Sequence, residues 1–357
     1  MLRRVLLLCG LLGCSAADAP ALETPADPVT GDDAAVVVDD SGTPPVDAGD
    51  VPPVDAAPPK PTRAIQILVE PDGQSGKQMV TAINGAKKSV HMTMYMLTST
   101  DVINALLARK KAGLDVRVVL NQTFPQGGSN QTVYTQLQQG GVAVHWAPAS
   151  FSLTHEKCFI VDGQSAWIMT MNAGATTADT NREYLAIDTD PSDVAEAETL
   201  FQGDYAGTPP ASVTGALVVA PLNASASLLT LVQSAVSTLD LEMEELSDYR
   251  FADALKAALG RGVKVRVVLP DNALTAAGQQ AVATVKAAGG KLVEVHTPYV
   301  HAKAIVVDGK VAFVGSENLT LSSLKYNREL GVVFDTASEV KKVSTTIAAD
   351  FATGVAL

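Results

Sequence analysis

Two stretches of the chain, THEKCFIVDG at residues 154–163 and VHAKAIVVDG at residues 300–309, follow one pattern. In both, a His and a Lys are two residues apart, and an apolar run then leads to Asp-Gly. Alternate side chains of a strand point to the same face, so we expect each His and Lys to share a face. The apolar run predicts a strand buried on both sides. The Asp-Gly pair predicts a tight hairpin turn, with returning strands at 166–171 and 311–314.

The register of the two copies continues past the hairpin. In each copy an Asn lies 17 residues after the His, and an Asn-Arg-Glu segment lies 26 to 28 residues after it. These are Asn172 and 181–183 in the first copy, and Asn318 and 327–329 in the second. Elsewhere the copies drift: the repeated VRVVL strands at 116–120 and 265–269 are three residues out of this register. The spacing between the two copies is constant over the His, Asn and Asn-Arg-Glu positions but changes elsewhere, which indicates that these residues form one shared site.

Strand and helix patterns alternate through both halves. Strands are predicted at 65–69, 90–96, 116–120, 142–146, 216–220, 239–243, 263–269 and 292–295, and helices lie between them, as at 101–112 and 251–261. The alternation predicts an α/β fold, and the period of the repeat is too long for a solenoid. We therefore expect two tandem layered α/β/α repeats with mixed sheets, packed about a pseudo-two-fold axis. Their predicted bounds are 63–210 and 211–357.

The first residues have the layout of a secretory signal peptide. Arg3 and Arg4 precede an apolar run at 5–12, which is too short to span a bilayer. The run ends in LLGC at 11–14, which resembles the bacterial lipoprotein cleavage box. We predict a signal peptide at 1–13 and a lipidated Cys14 as membrane anchor, which would make the protein a bacterial cell-envelope lipoprotein. The alternative is an ordinary signal peptide, cut near Ala16 and Ala17, and a secreted protein.

Most of the net charge lies in one segment. The chain has 357 residues, 47% of them hydrophobic, and a formal net charge of -12. Residues 15–63 contain ten acids against Lys60 and Arg63, so the remainder is only mildly acidic and does not indicate a polyanion partner. Prolines and dispersed charges predict an extended tether at 14–62. The alternative is a binding motif for a proline-recognising module.

The remaining cysteine and histidines carry weaker signals. Cys158 is the only Cys after the predicted anchor, so it has no partner there for a disulfide bond. It is either a nucleophile or, as we expect for this residue type in an apolar run, a small buried hydrophobe. His91, His145 and His296 lack the paired context and are expected to be structural.

The doubled pattern H-x-K-x4-D, followed in the second copy by G-S-x-N at 315–318, resembles the two-motif members of the phospholipase D superfamily. The resemblance covers the chain after the tether. The compact repeats also resemble two subunits of the small bacterial endonuclease branch fused in tandem. The first copy departs from G-S-x-N: Met169 and Thr170 stand in the Gly and Ser positions. Thr keeps the hydroxyl of Ser.

The resemblance implies a metal-independent reaction through a phosphohistidine, with no cofactor. One His attacks phosphorus and the other protonates the leaving oxygen, both in one composite site of a monomer. Charge is supplied by Lys157 and Lys303, and neutral donors by Asn172 and Asn318. The carboxylates of Glu183 and Glu329 orient the histidines, and the hydroxyls of Thr170 and Ser316 bind substrate. The turn residues Asp162 and Asp308 are structural. The two histidines are His155, the expected nucleophile, and His301.

The substrate is less tightly indicated than the chemistry. Glu244 and Glu245 follow one strand where the other half has Tyr95 and Met96. Two carboxylates at the cleft would disfavour long polyanions or select a cationic head group; alternatively they lie at an exposed strand end. We expect a phospholipase D-type enzyme that hydrolyses phospholipid head groups or transfers them. The alternatives are a nuclease of the same superfamily, with nucleic acid as substrate, and a non-catalytic phosphate-binding envelope protein.

Overall fold

The computed structural model describes residues 64–125, 127–272 and 274–357. The predicted signal peptide, the anchor Cys14 and the tether at 14–62 lie outside the described residues. The elements of the first half are β1 (Ile65–Glu70), α1 (Lys77–Gly85), β2 (Ser89–Met94), α2 (Thr100–Lys111), β3 (Asp115–Leu120), α3 (Gln131–Gln139), β4 (Ala143–Trp146), β5 (Lys157–Val161), β6 (Ser165–Met169), α4 (Thr177–Thr180), β7 (Asn181–Asp188) and α5 (Pro191–Tyr205).

The second half repeats this order from residue 217. Its elements are β8 (Leu217–Ala220), α6 (Ala224–Gln233), β9 (Thr238–Met243), α7 (Tyr249–Gly260), β10 (Lys264–Pro270), α8 (Ala276–Ala287), β11 (Lys291–Val295), β12 (Tyr299–Val300), β13 (Lys303–Val307), β14 (Val311–Gly315), α9 (Leu321–Lys325), β15 (Glu329–Phe334), α10 (Ala337–Thr353) and β16 (Val355–Ala356). The predicted boundary near residue 210 falls between α5 and β8 and stays a prediction.

Each half builds its own mixed sheet, and the two sheets have equivalent strand orders. The strand order is β1-β7-β6-β5-β2-β3-β4 in the first and β8-β15-β14-β13-β9-β10-β11 in the second, where β16 is added beside β11. Strands β2, β3 and β4 pair in parallel, as do β9, β10 and β11, whereas the other neighbours along each order are antiparallel. The predicted α/β fold with two tandem repeats and mixed sheets is confirmed.

Helices cover the sheets in layers, as apolar faces require. In the first half the helices α1, α2 and α3 bury Met79, Leu106 and Leu137 in one core. In the second half α6, α7 and α8 form the equivalent core. A third core joins residues of both sheets with α5 and α10, including Phe201 and Ile347. The two repeats therefore share a central core in addition to their own outer ones. None of the helices in the described ranges combines the length and apolar character needed to cross a bilayer.

The predicted Asp-Gly hairpins are present in both repeats. Asp162 and Gly163 have φ of 57° and 65°, and Asp308 and Gly309 have 53° and 63°, the positive values of a type I′ turn. The carboxylate of Asp162 accepts hydrogen bonds from the backbone N–H groups of residues 87–89. Asp308 does the same for residues 236–238, and although burial opposes ionisation, these N–H donors lower its pKa to about 2. Each Asp thus ties its hairpin to the start of the neighbouring strand, β2 or β9.

Two arginines connect the halves through ion pairs, one of them buried and the other partly buried. Arg328 of the second half pairs with Asp204 in α5 of the first half, at 2.8 Å from Nε and 2.9 Å from Nη2, and both side chains are 1% exposed. Arg182 of the first half pairs with Asp350 in α10 in the same bidentate way. Each Arg belongs to an Asn-Arg-Glu segment, and each Asp lies 22 residues after the Arg of its own half. The two contacts are therefore equivalent under exchange of the repeats.

We expect Asp204→Asn to lower the free energy of unfolding by about 3–5 kcal/mol, because it leaves the buried Arg328 guanidinium without its countercharge. Asp271→Asn is the matched control, since Asp271 pairs with His296 where both side chains are solvent-exposed, at 49% and 84%. This control should cost less than about 1 kcal/mol. Urea denaturation followed by circular dichroism measures both. Equal losses in the two variants would contradict a locking role for the Arg328–Asp204 pair.

Candidate active site

The two His-x-Lys pairs stand at the beginnings of equivalent strands. Lys157 is the first residue of β5 and Lys303 the first of β13, and each His lies two residues earlier. These strands pair with β2 and β9, so that Lys157 lies opposite Met94 and Lys303 opposite Met243, the last residues of those strands. The carboxyl ends of the parallel strands are the usual place for a site in an open α/β sheet. All four His and Lys side chains are buried.

Each histidine is held by a carboxylate from the other repeat. His155 Nδ1 lies 2.8 Å from Glu329 Oε2 and 3.0 Å from Oε1. His301 Nδ1 lies 2.7 Å from Glu183 Oε1. We expect an Nδ1 this close to a carboxylate oxygen to carry the proton, which leaves Nε2 as the nitrogen available for chemistry. The structure therefore brings all four residues together in crossed pairs, so that one half alone contains no complete His–Glu pair.

The two hydroxyls predicted to bind substrate, those of Thr170 and Ser316, contact these carboxylates. Thr170 donates a hydrogen bond to Glu183 Oε2. Ser316 donates to Glu329. The hydroxyls fix the carboxylates that hold the histidines, and their contact with substrate stays a prediction. Asn181 and Asn327, each two residues before its Glu, donate to the same carboxylates at 3.3 and 3.2 Å.

The surroundings of Glu329 favour its charged form. Burial raises the pKa of this carboxyl, but His155, the Lys157 charge and the Ser316 hydroxyl together hold it below its ordinary value. A Glu that remains ionised beside His155 can stabilise an imidazolium when the ring takes up a proton. This is the property that a proton-transferring or attacking histidine requires.

The two lysines have different neighbours. Lys157 Nζ donates to the His155 carbonyl at 2.8 Å and lies 4.9 Å from the centre of the Tyr95 ring, a cation–π contact. The Tyr95 ring also meets His155 edge-on, with ring centres 4.7 Å apart. Lys303 Nζ donates to the His301 carbonyl at 2.9 Å and to Glu244 Oε2 at 2.7 Å, and lies 3.2 Å from His301 Nε2.

Glu244 is part of the site rather than an exposed strand end. It is 2% exposed, and its Oε2 also accepts a hydrogen bond from Asn318 Nδ2 at 3.2 Å. Tyr299 donates to Oε1 at 3.2 Å. The alternative of an exposed strand end is therefore wrong for Glu244, whereas Glu245 is half-buried. Asn172, the counterpart of Asn318, accepts a hydrogen bond from the Met96 N–H at 3.4 Å through its side-chain oxygen.

Three further acids lie buried around the crossed pairs, and the sequence patterns did not single them out. Burial raises the pKa of Glu156 to about 8 and of Glu70 to about 7. It raises the pKa of Glu317 well above its ordinary range, and the charge of Glu329 adds to this effect. Glu70 lies opposite Glu183 on neighbouring strands. The signal available in the sequence was that Glu156 and Glu317 occupy variable positions within the motifs, where the other copy has Ala302 and Met171.

The remaining candidate residues lie in other surroundings. Cys158 is buried in β5, and burial raises the pKa of its thiol, which disfavours a nucleophilic thiolate. His91 is buried between Glu198 and Asp115, and it stacks on Phe201. His145 Nδ1 donates to the Tyr205 carbonyl, and His296 pairs with Asp271 near the surface. Within the described residues, no three His, Cys, Asp or Glu side chains are grouped so as to hold a metal ion.

Comparison with known proteins relates this arrangement to one family. The family model described as "Cardiolipin synthase, PLD-like domain" matches twice, at residues 79–205 and 228–351. The cardiolipin synthase of Oceanobacillus iheyensis is 23% identical over 315 residues, which cover 74% of this chain and 64% of that protein. The probable cardiolipin synthase of Bacillus subtilis is 20% identical, covering 73% of this chain and 60% of the relative. The chain thus spans less than two thirds of the length of these relatives.

Solved structures show the same fold. The phosphatidylserine synthase of Haemophilus influenzae superposes with a TM-score of 0.62, at 12% identity, over 82% of this chain and 87% of that one. The polyphosphate kinase of Porphyromonas gingivalis gives a TM-score of 0.61, at 16% identity, over 80% of this chain and 50% of the kinase. At these identities the likeness concerns the fold of the two repeats.

The crossed pairing predicts a crossed response to substitution. We expect Glu329→Gln to alter the Nδ1–H resonance of His155 and leave that of His301 in place, because only His155 loses its charged acceptor. Glu183→Gln should do the reverse. Nuclear magnetic resonance of protein labelled with ¹⁵N-histidine, with the two signals assigned through His155→Gln and His301→Gln, measures this. Each Glu variant perturbing the histidine of its own half would show that the pairs are not crossed.

Proposed function

The chain belongs to the family described as "Cardiolipin synthase, PLD-like domain", and from that premise we propose that it is a phospholipase D-type phosphodiesterase acting on phospholipid head groups. The proposed reaction is hydrolysis of the head group, or its exchange for another alcohol. The observation that carries the proposal is the pair of crossed His–Glu contacts, each with a buried Lys on the same strand end. Two such units supply every group that displacement at phosphorus requires.

The first half-reaction uses His155 as nucleophile. Its Nδ1 proton stays on the ring and remains hydrogen-bonded to Glu329, and its Nε2 lone pair forms a bond to phosphorus. The bond between phosphorus and the head-group oxygen breaks, and that oxygen takes a proton from His301. The products of this step are a phosphohistidine that carries the diacylglycerol moiety and a free head-group alcohol. Lys157 and Asn172 lie in the half that holds the nucleophile and are proposed to bind the non-bridging oxygens.

The second half-reaction reverses the roles of the proton carriers. His301, now neutral, takes the proton from water or from an acceptor alcohol, and the resulting oxygen attacks phosphorus. The P–N bond to His155 breaks, and the free electron pair returns to Nε2. Attack by water releases phosphatidic acid, whereas attack by an alcohol releases a new phosphodiester. The same site therefore supports hydrolysis and transfer, and the acceptor that enters decides between them.

The matched relatives favour lipid as the substrate. The curated relatives reported above are named as cardiolipin synthases, enzymes that make a phospholipid. The folded part is mildly acidic, and Glu244 places a carboxylate within the site, whereas a nuclease draws affinity from basic contacts to the backbone. We propose phospholipid as the substrate and a monomer as the working form, since both halves of the site come from one chain.

We also propose attachment to a bacterial membrane through Cys14, which would bring the enzyme to its substrate. Wild-type protein should incorporate radioactive palmitate in the producing cell and fractionate with membranes. Cys14→Ser should lose the label, and Cys9→Ser is the matched control that keeps it. A wild-type protein without label, recovered from the medium, would indicate a secreted enzyme instead.

We expect His155→Ala and His301→Ala each to lower kcat at least about 10³-fold, because the two histidines act as one unit. Wild-type enzyme quenched during turnover with ³²P-labelled substrate should carry acid-labile label on His155, and the His145→Ala control should behave as wild type. Half of the wild-type activity in either single variant would contradict a composite site. Label on His301 would reverse the two roles.

The substrate assay compares lipid and nucleic acid with one preparation of residues 63–357 in excess EDTA. We expect head-group release from vesicles containing phosphatidylglycerol, and formation of a new diester when a primary alcohol is added. Plasmid and single-stranded DNA, tested at low and physiological salt, should remain intact, and the His155→Ala variant serves as the blank. DNA cleavage without head-group release would replace the lipid by a nucleic acid and leave the phosphohistidine chemistry in place.

A further inference from the structure

The two halves of the site differ at the residue that follows the strands β2 and β9. The first half has Tyr95 there, 1% exposed, with its ring against His155 and Lys157. The second half has Glu244, equally buried, with its carboxylate against Lys303 and 3.8 Å from His301 Nε2. A neutral ring beside Lys157 in one half is thus replaced by a carboxylate beside Lys303 in the other.

The Glu244 carboxylate occupies the donors that would otherwise meet a phosphoryl group. Its Oε2 accepts from Lys303 Nζ and from Asn318 Nδ2, the two residues of the second half predicted to bind phosphoryl oxygens. Its Oε1 accepts from Tyr299, whose hydroxyl lies 3.4 Å from Asn272 Nδ2. The carboxylate is therefore held in place from two sides and offsets the Lys303 charge. In the first half, the neutral ring of Tyr95 takes the place of this carboxylate beside Lys157.

We propose that Glu244 is a specificity-determining residue that limits the negative charge the site accepts on phosphorus. The inference rests on the proposed function and concerns the same site. A phosphodiester carries one negative charge, and a phosphomonoester carries about -1.5 to -2 at neutral pH. With the Lys303 charge offset by Glu244, the site accepts the single negative charge of the diester. The additional charge of a monoester is repelled by the Glu244 carboxylate in a buried, weakly screened setting.

This charge limit has a consequence for turnover. Hydrolysis converts a diester substrate into phosphatidic acid, a monoester, so the product carries more charge than the substrate at the same place. Glu244 thereby weakens product binding relative to substrate binding and favours release. Transfer to an alcohol yields another diester, which Glu244 tolerates as it tolerates the substrate. The residue discriminates between ligands by charge and takes no part in bond making.

The test measures binding of a matched pair of ligands, phenyl phosphate and diphenyl phosphate, by calorimetry at neutral pH. We expect wild-type protein to prefer the diester. Glu244→Gln and Glu244→Tyr, the second of which installs the residue of the first half, should each shift the ratio of the two dissociation constants towards the monoester by at least about tenfold. Glu244→Asp, which retains the charge, should keep the wild-type preference, and Glu245→Gln should change the ratio less than about twofold.

The experiment measures binding, so its result does not depend on whether the protein catalyses a reaction. If the chain binds diphenyl phosphate with the expected preference but turns over no phospholipid, the proposed function fails and the charge limit remains. An unchanged ratio in both Glu244→Gln and Glu244→Tyr, each folded as judged by circular dichroism, would overturn the charge limit. A shift of the same size in Glu245→Gln would also overturn it, because it would show that any nearby charge has this effect.

Discussion

The site depends on one constraint: the Arg and Glu side chains of each Asn-Arg-Glu segment contact residues of the other repeat. Successive side chains of an extended segment point to opposite faces, so the adjacent Arg and Glu of one segment reach different partners. Arg328 reaches Asp204 in α5, and Glu329 reaches His155, both in the first half. The backbone takes part as well, since the His155 N–H donates to the Arg328 carbonyl at 2.9 Å. A slip of one residue in β15 would remove all three contacts together.

These contacts between the repeats explain how the protein accommodates so many ionisable groups in a buried site. An isolated buried charge is costly, and it is tolerated only with a partner and hydrogen bonds. Lys303 has Glu244, Lys157 has the Tyr95 ring, and each histidine has a glutamate of the other half. Two other buried acids have raised pKa values instead. Burial raises the pKa of Glu156 to about 8 and that of Glu317 well above its ordinary range, which favours the neutral form of both acids.

Local spacing predicted the parts of the structure that depend on local geometry. The His-x-Lys spacing, the buried strands and the Asp-Gly hairpins follow from the two-residue period of a strand and from the positive φ of a type I′ turn. The strands β7 and β15 were not predicted, because they begin with the polar Asn-Arg-Glu segments. The crossing of the His–Glu pairs could not follow from spacing either. Both halves keep the same offset between His and Glu, so pairing within a half and between halves fit the sequence equally well.

The features that the sequence did not predict depend on contacts between residues that are distant in the chain. The carboxylate of Glu244 meets Lys303, which lies 59 residues away in the chain, and only the pairing of β9 with β13 brings them together. The ion pairs of Arg182 and Arg328 were missed although their Asp partners keep the register of the repeats. That register extends to α5 and α10, where the helix pattern alone predicts a buried face but not which polar residue faces the other half.

Fusion of two repeats in one chain gives the site a freedom that a symmetric dimer of identical halves lacks. In such a dimer both histidines have identical neighbours, yet a two-step displacement asks one to attack and the other to carry a proton. Here the frame of the two halves is the same, whereas the residues around it differ: Tyr95 against Glu244, Glu156 against Ala302, and Met171 against Glu317. Different environments separate the properties of two like titratable groups. The two crossed His–Glu pairs are the same in both halves, and the residues that differ lie around the histidines. Differences at these positions are the ones that could give the two histidines different roles.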